Sequence, residues 1–215
     1  MNEIGAIRFK NRREAGRLLA AFLQGLPDEK DVVILALPRG GVPIAAEISK
    51  ALGIPFDVLI VRKLGVPGHE EFAMGAIASG GVRVLSEDVI LQLGLTLVDV
   101  DSVIQRETRE LERREYLYRG AQGGPAVAGR IVIVVDDGIA TGSTMSAAIQ
   151  LLRQQKAERI IVAVPVAPSD TVERLREEAD EVIVVLEPEP FGGVGRWYED
   201  FSQTSDEEVQ ALLHH

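Results

Sequence analysis

The residues best suited to chemistry lie in one short stretch, residues 131–144, IVIVVDDGIATGST. A run of branched apolar residues ends in two adjacent carboxylates, Asp136 and Asp137. Gly138, Ile139, Ala140, Thr141, Gly142, Ser143 and Thr144 follow and lead into a helical pattern. A buried strand has no use for an acid pair, so the pair serves something at the strand's carboxyl end, where open α/β sheets bind ligands. Backbone N–H groups, three hydroxyls and a helix N-terminus are the ingredients of a phosphate cradle, and Gly142 lets the backbone come close to the phosphate. The ligand these residues describe has a phosphate at one end and, beside it, hydroxyls or a hydrated metal for the carboxylates to bind. A phosphorylated sugar meets both requirements. The plainer alternative is a strand that ends in an N-capping loop with solvated acids. The patterns GxxxxGKS/T and GxGxxG are absent from the segment, so it is neither a nucleotide P-loop nor a Rossmann fingerprint.

The segment resembles the signature of type I phosphoribosyltransferases, which bind 5-phosphoribosyl 1-pyrophosphate (PRPP). That signature has an apolar strand, two acids, an apolar–Ala–Thr–Gly stretch and then Ser or Thr, and every position is filled here. The resemblance implies that Asp136 and Asp137 are the catalytic pair, holding ribose hydroxyls and offsetting positive charge on the ring. It implies that residues 138–144 hold the 5-phosphate. It also implies a Mg²⁺ ion near Asp136 and Asp137, held through substrate and water rather than by direct protein ligands. After the first apolar run comes Leu37-Pro38-Arg39-Gly40-Gly41, similar to the family's pyrophosphate loop; its alternative is an ordinary strand-to-helix turn. Arg62 and Lys63 resemble a basic pair that contacts pyrophosphate, against the alternative of a solvated strand end. Residues 65–81 match the family's mobile loop in position only. His69, Glu70 and Glu71 sit there, with either a catalytic role or that of exposed loop charges. Ala140 departs from the hypoxanthine and guanine members, which carry an acid/base Asp at that position, and so lowers the case for such a substrate. The acceptor in this family is covered by a variable hood from terminal segments. Here the candidates are residues 8–23 and 189–201, with Phe191, Trp197 and Tyr198 either stacking on a planar acceptor or packing the tail.

These parts need a scaffold to hold them. Five apolar runs, residues 32–37, 56–61, 131–135, 160–164 and 182–186, are Val- and Ile-rich and nearly continuous, as strands covered on both faces are. Helical patterns at 42–52, 143–155 and 169–179 alternate with them. The fold expected is α/β, an open parallel sheet flanked by helices, with a small hood from terminal segments. One domain spans residues 1–215, with an inserted flexible-loop and helix region at 64–129 and a hood or tail at 187–215. Inside the insertion, 72–78 and 82–85 read as weak strands. Residues 97–118 read as an amphipathic helix with Leu97, Val100, Ile104, Leu111 and Tyr118 on one face. Residues 120–129 read as a flexible return. Ser205 and Glu208 have capping-box spacing at the start of a last helix.

The 215 residues carry a formal charge of −10 and no cysteine. An acidic chain repels polyphosphate backbones and anionic membranes, which argues against nucleic acid and membrane partners. The lack of cysteine excludes disulfides and thiolate metal sites. Residues 1–10 have no apolar core of the kind a signal peptide needs, and no apolar run approaches bilayer length. The chain therefore reads as cytoplasmic, with PRPP and an unidentified, nitrogenous acceptor as its small-molecule partners and a homo-oligomer left open. The function the resemblance implies is Mg²⁺-dependent phosphoribosyl transfer with release of pyrophosphate, in nucleotide metabolism or salvage. Two rivals would use the same motif. One is a PRPP- or nucleotide-sensing regulatory protein without transferase activity. The other is a sugar-phosphate hydrolase or phosphorylase.

Overall fold

The computed structural model describes residues 8–26, 31–120 and 124–214; the side chains of Glu70 and Glu71 lie outside that description. The elements run α1 (Arg12–Phe22), β1 (Val32–Ala36), α2 (Gly41–Leu52), β2 (Phe56–Val58), β3 (Val61–Val66), β4 (His69–Ala78), β5 (Val82–Leu85), α3 (Glu87–Gln92) and α4 (Leu97–Arg119). They continue with β6 (Ile131–Val135), α5 (Ser143–Gln154), β7 (Arg159–Val166), α6 (Ser169–Glu178), β8 (Glu181–Leu186) and α7 (Asp206–Leu213). A five-stranded sheet has the order β2-β1-β6-β7-β8, and every neighbouring pair is parallel.

The continuous apolar runs follow from burial of both sheet faces. Successive side chains on a strand point to opposite faces, so Val33, Leu35, Val132 and Val134 join Ile149, Leu152, Val172 and Leu175 of α5 and α6 in one core. Ile34, Ala36, Ile133 and Val135 join Leu19, Ile44, Ile48 and Val209 of α1, α2 and α7 in the other. The open parallel sheet with helices on both sides is therefore as the apolar pattern anticipates.

The run at 56–61 divides. Its first half is β2, ending at Val58, and Val61 already belongs to a second sheet, antiparallel, of order β3-β4-β5. The strands expected at 72–78 and 82–85 form as parts of β4 and as β5, while the stretch at 65–81 expected to be a mobile loop is largely the hairpin of β3 and β4. Pro67-Gly68 makes its turn, with Gly68 at φ +78°, the left-handed value that the third residue of a type II turn requires. The small sheet rests on α5, where Ala76 and Ala78 meet Ala147 and Leu151. Side chains this short let a sheet and a helix come close.

The charged segment after the small sheet is helical, as its spacing predicts, and Val100, Leu111 and Tyr118 are buried. Leu97 departs from that prediction: it is 83% exposed, because it is the first residue of α4 and no neighbouring element covers it. Thr96 and Asp99 make a reciprocal capping box there. Ser205 caps α7 by accepting the Glu208 N–H at 3.1 Å. Residues 121–123 of the return, residues 1–7 and His215 lie outside the described residues. Among the described residues no helix is long and apolar enough to cross a membrane.

Candidate active site

The chain leaves β1 toward β2 and leaves β6 toward β7, on opposite sides of the β1–β6 pair. The two loops that follow these strands therefore splay apart and open a crevice at the sheet's carboxyl edge, the place where open α/β sheets bind ligands. Both loops are the ones the sequence singles out. They touch: a Cβ on Gly40 would lie 2.0 Å from Asp137 Oδ2, and one on Gly41 would lie 2.5 Å from the Val135 carbonyl oxygen. Only glycine fits so close an approach. The Leu37 N–H donates to the Val135 carbonyl at 2.8 Å, so the first loop leaves the sheet in register with the second. The Pro38–Arg39 peptide is cis.

The loop of residues 138–144 forms a cavity of about 230 Å³ lined by Asp136, residues 138–145 and Val194. Ile139 is buried and its N–H donates to the Val166 carbonyl at 2.9 Å, which anchors the loop to β7. Gly142, at φ +76°, turns the chain into α5, and no side chain caps that helix. Its first N–H groups accordingly face the cavity without a side-chain acceptor, a favourable setting for an anion. Two residues of α6 hold the loop from behind. Thr171 Oγ1 donates to the Ala140 carbonyl at 2.9 Å, and Arg174 donates to the Thr141 carbonyl at 2.5 Å. A larger cleft of about 650 Å³ lies beyond, between α5 and the small sheet, and shares Thr141 and Ser143. The smaller cavity is the better phosphate site, because the first residues of α5 line it together with Asp136, which the larger cleft lacks.

The acid pair is less open than a solvated strand end. Asp136 accepts the Asp137 N–H at 2.8 Å. Burial and then the neighbouring Asp137 charge push Asp136 well above the ordinary carboxylate range. Burial also pushes Asp137 up, opposed by the guanidinium of Arg12. Arg12 donates to Asp137 Oδ2 through Nε at 2.9 Å and Nη2 at 2.8 Å. A ligand with hydroxyl donors, or a hydrated cation, would relieve the shortage of donors around Asp136.

Sequence reasoning missed Arg12, although it lies within the terminal stretch named as a hood. One signal was available: Arg12 and Arg13 open α1, where cations oppose the helix dipole by about 0.3–1 kcal/mol each, so something outside the helix must favour them. Asp206, from α7, was missed too. It accepts from Tyr118 at 2.6 Å and pairs with Arg39 at 3.7 Å, tying the first loop to the last helix. Burial and that bond raise the Tyr118 hydroxyl to about 12.

The remaining candidates fall in different places. Arg62, in β3, donates to Glu107 of α4 at 2.9 and 2.5 Å, so its charge is already partnered away from the strand end. Burial would raise Glu107, but bonds from Arg106 and Arg62 hold it below its usual range. Lys63 is the next residue of β3 and pairs in register with Ala76. His69 is exposed at the hairpin turn; the side chains of Glu70 and Glu71 lie outside the described residues.

Tyr198 needs correcting as a stacking ring. It is only 3% exposed, lies 5.4 Å from the ring of Phe9 and 5.1 Å from that of Phe201, and donates to the Asp137 carbonyl at 2.6 Å. Both of its neighbours come from terminal segments, so the ring packs the tail instead of facing an acceptor. Trp197 Nε1 donates to the Phe191 carbonyl at 2.9 Å, and Trp197 and Phe191 pack against the same small core. The tail residue that lines the loop cavity is Val194, which no spacing or composition marks out. Among the described residues no three His, Asp or Glu side chains gather as a metal cluster.

Residues 70–195 match the phosphoribosyl transferase domain family. A Mycobacterium tuberculosis protein that carries the name of a phosphoribosyl transferase is 47% identical over 205 residues, covering 95% of this chain and 46% of that protein. The chain thus spans about half the length of the curated relatives it matches. A ribose-phosphate pyrophosphokinase of Pyrococcus furiosus is 29% identical over 165 residues, 68% of this chain and 59% of that one. The crystal structure of TT1426 from Thermus thermophilus has a TM-score of 0.87 at 42% identity, covering 96% of this chain and 97% of that chain.

Proposed function

The chain belongs to the phosphoribosyl transferase domain family, and on that premise we propose that it transfers the 5-phosphoribosyl group of PRPP to a nitrogenous acceptor and releases pyrophosphate. The observation that carries this reading is the contact of the two loops, with Gly40 packed against Asp137 beside the cavity of residues 138–145. A phosphate in that cavity and a pyrophosphate on residues 39–41 would hold the sugar between them, over the acid pair.

Cleavage of the C1–O bond gives the sugar oxocarbenium character and leaves negative charge on pyrophosphate. Catalysis then depends on positioning and charge stabilisation more than on a protein nucleophile. Asp136 and Asp137 accept hydrogen bonds from the ribose hydroxyls and offset the positive ring. The hydroxyls of Thr141, Ser143 and Thr144 and the first N–H groups of α5 hold the 5-phosphate. Arg39, with the backbone N–H of Gly40, takes charge from the leaving group, while the Gly41 N–H is engaged by the Leu37 carbonyl at 3.1 Å. Asp136 and Asp137, as oxygen-only donors, would hold a hydrated Mg²⁺ through its waters, and the ion would supply neutralisation of the leaving group's charge. The acceptor approaches C1 from the side covered by the tail, near Val194 and Phe191.

The test is thermal and then kinetic. A ligand bound only by the folded state raises stability by RT ln(1 + [L]/Kd), so millimolar PRPP with Mg²⁺ raises Tm. Pyrophosphate release should depend on an added nitrogenous acceptor. Release without acceptor would establish a hydrolase, and binding without turnover over a broad acceptor panel would establish a sensor. No Tm shift with PRPP or ribose 5-phosphate would refute the reading.

A further inference from the structure

Arg12 is nearly sealed, with its side chain 12% exposed, and every part of its guanidinium has a partner. Nε and Nη2 both donate to Asp137 Oδ2, at 2.9 and 2.8 Å. Nη1 donates to the Ser202 carbonyl at 2.6 Å. The ring of Phe201 lies 4.1 Å from Cζ, a cation–π contact. Tyr198, whose ring lies tilted against that of Phe201, donates to the Asp137 carbonyl at 2.6 Å. The tail itself is paired to the chain before α1: the Phe9 N–H donates to the Trp197 carbonyl and the Glu199 N–H to the Phe9 carbonyl, both at 2.8 Å. Asp137 is therefore gripped on its side chain and on its backbone by two terminal segments, one of them 125 residues away.

The geometry of the grip is selective. Both Arg12 donors converge on Oδ2, which Gly40 closes from the other side. Among the described residues no side-chain donor reaches Oδ1, which leaves Oδ1 able to accept one from a ligand. A carboxylate fixed at one oxygen and open at the other is preorganised to accept a hydroxyl. We propose that Arg12 is the positioning residue for Asp137, so that recognition of the ribose hydroxyls is set by the terminal clamp and not by the PRPP-binding loop alone. The inference rests on the reading of Asp137 as a ribose ligand.

Titration calorimetry with three probes in the presence of Mg²⁺ tests it: PRPP, ribose 5-phosphate and inorganic phosphate, on wild type, Arg12→Ala and Arg12→Lys. Arg12→Ala should weaken PRPP and ribose 5-phosphate by at least about tenfold, the low end for a lost hydrogen bond to a charged group. Inorganic phosphate, held by residues 138–144, should keep its affinity. Arg12→Lys restores the charge without the two-donor fork and should recover part of the loss. A parallel fall in all three affinities would show that Arg12 only holds the fold together and would overturn the proposal, as would unchanged affinities. Should Arg12→Ala fail to fold, Arg12→Lys and Phe201→Leu decide by the same criterion, because neither removes the charge beside Asp137. A wild-type protein that binds phosphate but neither sugar phosphate would instead overturn the proposed function, and this inference with it.

Discussion

Gly40→Ala is the smallest change that tests the site as built. The added methyl carbon would lie 2.0 Å from Asp137 Oδ2 and 2.4 Å from its Cγ. Contact without repulsion needs about 3.5 Å, so one partner must retreat by roughly 1.5 Å. Asp137 cannot do so freely, because Arg12 holds its carboxylate and Tyr198 holds its carbonyl. The loop cannot do so freely either, since Leu37 N–H is bonded to the Val135 carbonyl and Gly41 abuts it. Overpacking of this kind costs about 1–3 kcal/mol, which for a domain of this size lowers Tm by about 2–4 °C per kcal/mol. The functional loss should be larger than the stability loss, because a misplacement of about 1 Å at a reacting centre costs about 10²-fold in rate. Calorimetric melting and PRPP titration on the same preparation read the two effects separately. A Gly40→Ala protein with wild-type Tm and wild-type PRPP affinity would refute the idea that the two loops are jammed together, and with it the shared site.

Two further substitutions probe the pair and the tail. Asp136 has a folded-state pKa raised above its unfolded value near 3.9, so its contribution to stability is full below that pH and is lost as pH rises through the folded value. Asp136→Asn should then melt higher than wild type at neutral pH without ligand, show a flatter Tm profile as pH rises above about 4, and bind PRPP less well. Superimposable Tm profiles would show that Asp136 carries no such strain. Tyr198→Phe removes one bond to the Asp137 carbonyl and should cost about 0.5–1.5 kcal/mol while leaving acceptor KM unchanged, since the ring is sealed. A raised acceptor KM at unchanged Tm would return Tyr198 to the acceptor site.

The α/β sheet was legible because local composition decides it. A strand covered on both faces must be apolar at every position, and residues 131–135 and 32–36 state that without reference to the rest of the chain. The motif at 136–144 was legible for the same reason: its acids, glycine and hydroxyls are contiguous and end a strand. The strands at 72–78 and 82–85 were legible too, but where the tail docks and how β3 pairs into the small sheet were not. The run at 56–61 reads as one strand because composition does not record where the chain changes sheet, and the turn at Pro67-Gly68 reads as a loop until β3 and β4 are seen to pair. Tyr198 has the same composition signal whether it stacks on a ligand or is packed between Phe9 and Phe201. The Arg12–Asp137 pair joins residues 125 apart, and no periodicity links them. Hydrophobic pattern and motif spacing act over a few residues, so the sequence by itself determined the sheet and the loop that ends in the acid pair. Which charges meet across the chain depends on where the terminal segments dock, and that was decided only by the packing of Phe9, Tyr198 and Phe201 around Arg12 in the folded protein.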